Sequence, residues 1–148
     1  MSDKKKIILF GLFLLIFFAL MQVEKAFERA ELDSLGRVYS TAVVRELQTR
    51  GSFYIIEFDY KEKSVRCSST GLGEWASWKH LKNLEFWRAD IGDRVYILFP
   101  KGKPERAELY LDFDVPPNLP EPPPEGWTLE EIQALDPNFK PEGIIDWW

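Results

Sequence analysis

The sequence is short of the side chains that most metal and catalytic sites require. It contains one histidine, His80, and one cysteine, Cys67. A zinc site needs three or four ligands, and one residue of each type beside scattered acids does not assemble such a set. A single cysteine also excludes an intramolecular disulfide, and a lone thiol is more often a small core residue than a reactive group. We therefore expect no metal, no cofactor and no disulfide.

Motifs for nucleophilic catalysis or phosphate binding are also missing. Residues 68–71 lack the Gly-x-Ser-x-Gly spacing of a nucleophile elbow, and residues 71–73 lack the remaining glycine of a dinucleotide loop. Asp112 and Asp114 fall with Glu108 on one face of a predicted strand, but a solvated strand face produces the same pattern. We predict that the chain is not an enzyme and has no small-molecule substrate. A hydrolase that uses Asp112 and Asp114 is the enzymatic alternative.

Excess positive charge is absent as well. The formal net charge is −5, which excludes the basic footprint of a nucleic-acid-binding protein. The acidity is concentrated at the C-terminus, where residues 112–148 hold nine acidic residues and one basic residue, Lys140. We expect no nucleic-acid partner.

One long hydrophobic run is present near the N-terminus. Three lysines at positions 4–6 precede an uncharged, apolar stretch over residues 7–23. Its length at helical rise is about 25 Å, which is the short end of what crosses a bilayer. A cleaved signal peptide has the same charged start and apolar middle, but it needs small residues at positions −3 and −1 of a cleavage site. That pattern fails around residues 19–21 and 24–26, so we predict an uncleaved transmembrane helix in contact with membrane lipid.

The lysines also predict the orientation of this helix. By the positive-inside rule, residues 1–6 are cytoplasmic and everything after Val23 is extracytoplasmic. We therefore predict a single-pass protein of a bacterial inner membrane. Apolar residues at helical spacing continue through residues 24–35, which predicts a juxtamembrane helix that Gly36 ends.

Residues 37–114 change to the alternating period of β-strands. Five strands with short turns predict a mainly β fold, a small five-stranded antiparallel domain that resembles a barrel, because closure removes exposed edges. A five-stranded sheet with a helix across one face is the alternative. The predicted strands are Val38–Leu47, Tyr54–Tyr60, Val65–Ser69, Arg94–Phe99 and Ala107–Phe113.

The stretch between the two predicted hairpins is rich in aromatic residues. Trp75, Trp78, Leu81 and Leu84 recur every three residues, which indicates a short helix or an irregular cap. These side chains could plug one end of the barrel or form an exposed aromatic binding site, and we favour the plug.

Two segments resemble a bacterial family of domains of unknown function. Residues 92–100, Gly-Asp-Arg-Val-Tyr-Ile-Leu-Phe-Pro, with Pro104 and Ala107-Glu108-Leu109, resemble the closing hairpin of that family. Its pattern is Gly-x-x-Val-x-Val-x-Tyr-x-Pro, a short turn, Pro and Ala-x-Leu, and residues 54–69 are similar to its preceding hairpin. The resemblance covers about half of the chain and implies a small β domain tethered beside one or two membrane helices, without a chemistry. This chain departs from it in showing one span and a Pro-rich tail.

Proline dominates the beginning of the tail. Six of the eleven residues from Asp114 to Pro124 are proline, so residues 115–126 are predicted to be an extended polyproline II linker that acts as a semi-rigid spacer. Residues 127–148 follow as a helical, aromatic and acidic tail. Thr128 and Glu131 have the spacing of a capping box, and Trp127 and Ile132 occupy the staple positions around it. Pro137 limits this helix to about Leu135.

The tail carries more large apolar side chains than a disordered segment would. Two interpretations remain open: the tail folds back on its own β domain, or it recognises another subunit, and intramolecular docking is the default because its effective concentration is high. The candidate partner-binding residues are Trp127, Ile132, Phe139, Ile144, Trp147 and Trp148.

The function expected from these features is a non-enzymatic, membrane-anchored extracytoplasmic module that binds another envelope protein. The alternative is an immunity or inhibitor protein, small, anchored and acidic, that blocks a toxin or enzyme by occupying its active cleft.

Overall fold

The computed structural model describes residues 2–48, 53–71 and 89–141. A long helix leads into an antiparallel sheet, and a short helix follows near the end of the chain. The helices are α1 (Asp3–Leu35) and α2 (Leu129–Leu135), with a single 3₁₀ turn at Pro104–Arg106; the strands are β1 (Arg37–Gln48), β2 (Phe53–Tyr60), β3 (Lys63–Ser69), β4 (Arg94–Pro100) and β5 (Glu108–Leu109).

Helix α1 is one continuous helix whose apolar residues 7–23 are solvent-exposed in the isolated chain. It is long and apolar enough to cross a membrane, a test that a signal sequence at this position would also pass. The helix stops where Gly36 takes a positive φ of 94° and donates its backbone N–H to the Leu32 carbonyl at 3.0 Å. Glycine adopts this conformation without steric cost, so the chain can turn directly into β1. The prediction of a long apolar N-terminal helix is confirmed.

The five strands form one antiparallel sheet in the order β3-β2-β1-β4-β5. β1 is central and pairs with β4 along Arg37–Val43 and with β2 from Val43 onwards. β2 and β3 are joined by Lys61 and Glu62, whose positive φ values of 50° and 65° are typical of the tight hairpin turn that matches strand twist. The prediction of five antiparallel strands is confirmed.

The predicted barrel is not confirmed, because the sheet is open. Closure would require β3 and β5 to pair through their backbones, and β5 has two residues only. The Ser69 side chain lies between the two edges instead, where its Oγ accepts the Leu109 N–H at 3.1 Å. The edge strands therefore approach each other and are joined by a side chain rather than by a strand ladder.

β5 is also shorter than the alternation over Ala107–Phe113 predicts. After Leu109 the chain makes one more bond to β4, from the Tyr110 N–H to the Tyr96 carbonyl at 2.9 Å, and then bends. It leaves the sheet because the Phe113 side chain turns to pack against Phe139, with ring centroids 5.0 Å apart. Asp112 and Asp114 therefore lie beyond the strand that carries Glu108.

Both faces of the sheet bury apolar side chains, in two separate clusters. β4 contributes to both, and every residue of it after Arg94 is buried. The inner cluster, on the face enclosed by the edge strands, includes Val44, Tyr54, Ile56, Phe58, Ile97, Phe99 and Leu109. The outer cluster consists of Tyr39, Tyr96, Leu98, Tyr110, Leu119, Trp127, Ile132 and Phe139, with Leu32 of α1 packed against it.

Candidate interaction site on the docked tail

The C-terminal tail lies on the outer face of its own sheet. Trp127 forms an antiparallel bridge with Tyr39 of β1, through backbone hydrogen bonds of 2.8 and 2.9 Å. This part of β1 has β4 on one side, but β2 pairs with β1 only from Val43 onwards. Trp127 therefore satisfies backbone groups of the central strand that β2 leaves unpaired.

Gly126 allows the tail to approach β1 this closely. Its φ is +76°, and a Cβ atom at this position would lie 2.4 Å from Cγ1 of Val38 and 3.1 Å from the Tyr39 carbonyl oxygen. Val38 is β-branched and stiff, so neither neighbour can move aside easily. The position requires glycine for both conformation and space.

Phe139 is the centre of the aromatic packing under the tail. The side chain is fully buried, and its ring lies close to the rings of two strands and of the segment after β5. The centroid distances are 4.2 Å to Tyr96, 5.0 Å to Phe113, 5.3 Å to Tyr110 and 5.9 Å to Tyr39. Three of these contacts are edge-to-face, an arrangement that aromatic pairs favour.

Helix α2 is held at both ends. At its start, the Thr128 hydroxyl accepts the Glu131 N–H at 3.2 Å, as an N-cap does. At its end, the buried Asp136 carboxylate accepts the Tyr96 hydroxyl at 2.6 Å and the Asn138 N–H at 3.1 Å. Burial, with the Asp136 bond, raises the pKa of Tyr96 well above its ordinary value, so the hydroxyl remains a donor.

The Pro-rich segment is fastened to the sheet, so the prediction of a spacer is not confirmed. The two terminal nitrogens of Arg94 donate to the carbonyls of Leu119 and Pro120, each at 2.7 Å, and its Nε donates to Thr41 Oγ1 at 3.1 Å. The Lys61 N–H donates to the Pro124 carbonyl at 2.6 Å. The carbonyls of this segment can accept these hydrogen bonds because an extended polyproline segment does not pair its backbone in a helix or sheet.

The six candidate partner-binding residues divide into two groups. Trp127, Ile132 and Phe139 are buried in the outer cluster. This part of the tail therefore folds back on its own β domain. Ile144, Trp147 and Trp148 lie outside the described residues, as do His80 and the aromatic stretch Trp75–Leu84. The tail turns its apolar side to the sheet and its acids outwards; the exposed acids are Glu121, Glu125, Glu130 and Glu131.

Sequence reasoning missed Arg94 and Gly126, which hold the tail in place. Arg94 reads as an ordinary polar residue at the start of a strand, and Gly126 as one more turn residue after the prolines. Neither position carries a local signal for its contacts, because both partners are distant in the sequence.

The end of α1 is fixed to the sheet by three contacts. Leu32 packs against the outer cluster, and the Lys101 N–H donates to the Gly36 carbonyl at 2.9 Å. The Glu31 carboxylate forms ion pairs with Lys103, at 2.6 Å, and with Arg106. The hydrogen bond from Lys103 is the main cause that lowers the pKa of Glu31, with the charge of Arg106 acting in the same direction. These contacts fix the C-terminal end of α1 to the sheet and to the β4–β5 turn.

A half-buried carboxylate, that of Glu108, lies where the edge strands meet. The Ser69 hydroxyl donates to the Glu108 carboxylate, and Ser69 Oγ accepts the N–H groups of Leu109 and Gly71 at 3.1 Å each. Burial raises the pKa of Glu108 to about 7, with a further contribution from the charge of Glu28 on α1. Hydrogen bonding by Ser69 opposes this shift.

A cleft of about 290 Å³ opens between the start of β4 and the segment after β5. Asp93, Arg94 and Asp114 are its charged lining residues, and the Arg94 guanidinium already binds carbonyls of the tail. Within the described ranges, no three His, Cys, Asp or Glu side chains are grouped closely enough to hold a metal ion.

We predict that Phe139→Ala destabilises the domain by about 3–5 kcal/mol, because it removes a fully buried ring that packs on four others. Denaturant unfolding of the detergent-solubilised protein measures the change. Leu135→Ala is the matched control, since Leu135 is 46% exposed in the same tail and should cost less than about 1 kcal/mol. Equal losses in the two variants would contradict the docked arrangement.

Gly126→Ala should destabilise the domain by about 1–3 kcal/mol more than Gly102→Ala, because only position 126 would be overpacked. Gly102 has a similar φ of +81°, and nothing lies within 4 Å of a Cβ placed there. Unfolding free energies give the difference, and amide hydrogen exchange at Tyr39 locates it. Unchanged exchange at Tyr39 in the Gly126 variant would show that the bridge to Trp127 does not depend on close approach.

Glu108 predicts a pH dependence of stability. Its pKa is about 7 in the folded chain and ordinarily 4.5, so unfolding releases a proton between these pH values. The contribution of Glu108 to the free energy of unfolding is therefore highest below pH 4.5, falls as the pH rises to 7 and is constant above pH 7. Glu108→Gln should be more stable than the wild type by about 1–3 kcal/mol at pH 8, with the gain lost near pH 4. Glu105→Gln, in the 3₁₀ turn just before β5, controls for the loss of a charge. A stability difference between Glu108→Gln and the wild type that does not change with pH would refute the raised pKa of Glu108.

No protein-family model, curated protein or solved structure matches this chain. The likeness of residues 54–69 and 92–109 to a family of membrane-tethered domains therefore stays a hypothesis.

Proposed function

We propose that this chain is a single-pass protein of a bacterial inner membrane that holds a non-enzymatic protein-interaction domain on the extracytoplasmic side. Helix α1 supplies the anchor through residues 7–23, and the three lysines at positions 4–6 favour a cytoplasmic N-terminus. The family resemblance, which implies a tethered β domain, supports the same assignment.

The fixed junction between α1 and the sheet is the observation that carries the proposal. Leu32, Glu31 and Gly36 all contact the sheet or its β4–β5 turn, so the domain cannot rotate freely about the helix. A rigid junction sets the height and orientation of a surface above the bilayer. That geometry suits a partner in or near the same membrane, because less orientational freedom is lost on binding.

The outward side of the docked tail is the surface that we assign to the partner. Its acids at positions 121, 125, 130 and 131 are exposed, whereas Trp127, Ile132 and Phe139 are buried against the sheet. Like charges on an ordered segment attract a basic protein surface and repel anionic ones. We therefore propose a basic region of another envelope protein as the partner.

An immunity or inhibitor protein is the second candidate, and the same acidic surface supports it. A toxin that cleaves nucleic acid has a basic cleft, which an ordered row of carboxylates can occupy. The two candidates differ in the identity of the basic partner.

Replacing the four tail acids by glutamine tests the surface without disturbing the buried contacts. In the full-length protein, Glu121→Gln, Glu125→Gln, Glu130→Gln and Glu131→Gln together should reduce cross-linked envelope partners by about tenfold, since several charge pairs are lost. Glu46→Gln with Glu105→Gln is the control, because these exposed acids lie on β1 and on the 3₁₀ turn rather than on the tail. Unchanged cross-linking in the quadruple variant would remove the tail surface from the proposal. Protection of cells against a basic toxin, lost in the same variant, would favour the immunity function.

A further inference from the structure

β3 and the segment that contains β5 lie side by side and run in the same direction. Three pairs of residues, each 40 positions apart in the sequence, meet where the two segments adjoin: Cys67 with Ala107, Ser69 with Leu109, and Gly71 with Leu111. Side chains make all three contacts, because the Cys67 thiol donates to a carbonyl at 4.0 Å, Ser69 Oγ accepts an N–H at 3.1 Å, and the Leu111 side chain covers Gly71. Residue numbers increase together along both segments, so the segments are parallel. We call this line of contacts the seam.

The seam is the weakest joint of the sheet. In the part of the chain that the structure describes, no backbone hydrogen bond joins residues 63–71 to residues 105–111. By contrast, β1 is paired with β2 and with β4, and β2 with β3, through ladders of at least five residue pairs each. Local opening of a folded domain costs least where few bonds have to break. The sheet can therefore part at the seam while its other strands stay paired.

Glu108 binds across the seam from the β5 side. Its carboxylate accepts the Ser69 hydroxyl and is hydrogen-bonded by the backbone N–H groups of Gly71 and Thr70. These donors belong to the last residue of β3 and the two residues after it. They are lost to Glu108 when the two segments separate, so the seam and this carboxylate are coupled.

The closed seam keeps the Glu108 carboxylate in a poorly hydrated position. Burial is the main cause that raises its pKa to about 7; the bond from Ser69 opposes the increase, and the charge of Glu28 on α1 adds to it. The β4 residue paired with Glu108 is the apolar Leu98, which offers no opposite charge. A neutral carboxyl group still has an oxygen that accepts the Ser69 hydroxyl, and it carries no charge to desolvate. The closed seam therefore binds a proton more tightly than an open one.

Other titratable groups lie near the seam on α1, β3 and the 3₁₀ turn. Glu31, one helical turn from Glu28, forms ion pairs with Lys103 and Arg106, and the hydrogen bond from Lys103 is the main cause that lowers its pKa. Burial, with the charges of Glu108 and Glu105, raises the pKa of Cys67 to about 11, so this thiol stays neutral near pH 7. Glu105 itself is exposed to water.

We infer that the seam opens and closes with the protonation of Glu108: when the carboxyl group ionises, β3 and β5 separate while the ladders of β1 with β2 and with β4 persist. Opening returns the carboxylate to water and uncovers the inner cluster at Ala107 and Leu109. Since the open state binds the proton less tightly, rising pH between about 4.5 and 7 favours opening. The inference depends neither on the membrane anchor nor on a partner. It goes beyond the effect of Glu108 on global stability, because it assigns the response to one joint of the sheet.

The reactivity of Cys67 measures this opening, because it is the single thiol of the chain and lies in the seam. The rate at which dithiodipyridine modifies the full-length protein in detergent is divided by the rate in urea at the same pH, which removes the intrinsic pH dependence of the thiol. We expect this ratio to increase at least about tenfold between about pH 5.5 and about pH 8 in the wild type, since opening is linked to loss of the Glu108 proton. In Glu108→Gln the ratio should stay constant within about twofold, and the matched control Glu105→Gln should behave like the wild type.

Two results would overturn the inference at the thiol: a wild-type ratio that does not change with pH, or an equal increase in Glu108→Gln. Amide hydrogen exchange, corrected for its intrinsic pH dependence, separates local opening from global unfolding. The Leu109 amide, which is bound to Ser69, should lose protection as the pH rises, whereas the Ile56 amide, in a strand paired on both sides, should keep it. If both amides lose protection together, pH acts on the whole fold and the separate opening of the seam is refuted.

Discussion

The structure depends on burial of β4 on both of its faces. Because its side chains alternate between an inner and an outer cluster, neither face can be left to water without exposing several large apolar groups. The inner face is covered when the edge strands approach each other around it. The outer face needs a separate cover, which the docked tail and Leu32 of α1 provide. The tail is therefore part of the domain rather than an appendage.

This cover explains why the tail has its particular residues. Gly126 lets the backbone touch β1, Arg94 binds two carbonyls of the Pro-rich segment, and Asp136 receives the buried Tyr96 hydroxyl. Polar groups taken out of water in this way must find partners, and these contacts supply them. Trp127, Ile132 and Phe139 of the tail are buried against the sheet, and its acids at positions 121, 125, 130 and 131 remain exposed.

The helix and the sheet act as one unit because their junction is itself part of the outer cluster. Ion pairs of Glu31 with the β4–β5 turn add orientation at the surface, where such pairs contribute modestly to stability. Where the edge strands β3 and β5 meet, Ser69 joins them through its side chain, which donates to the Glu108 carboxylate and accepts the Leu109 N–H.

Local pattern alone determined the apolar helix, the five strands, the β2–β3 hairpin and the cap at Thr128, because each is encoded by neighbouring residues. Tertiary structure decided whether the sheet closes, where β5 ends and where the tail lies. Alternation over Ala107–Phe113 predicts a long strand. The strand ends after two residues because Phe113 packs against Phe139. Prolines predict a spacer, yet Arg94, more than twenty residues away in sequence, binds its carbonyls. Such outcomes depend on contacts between distant residues, whose energies exceed the local preferences and leave no periodic signal in the sequence.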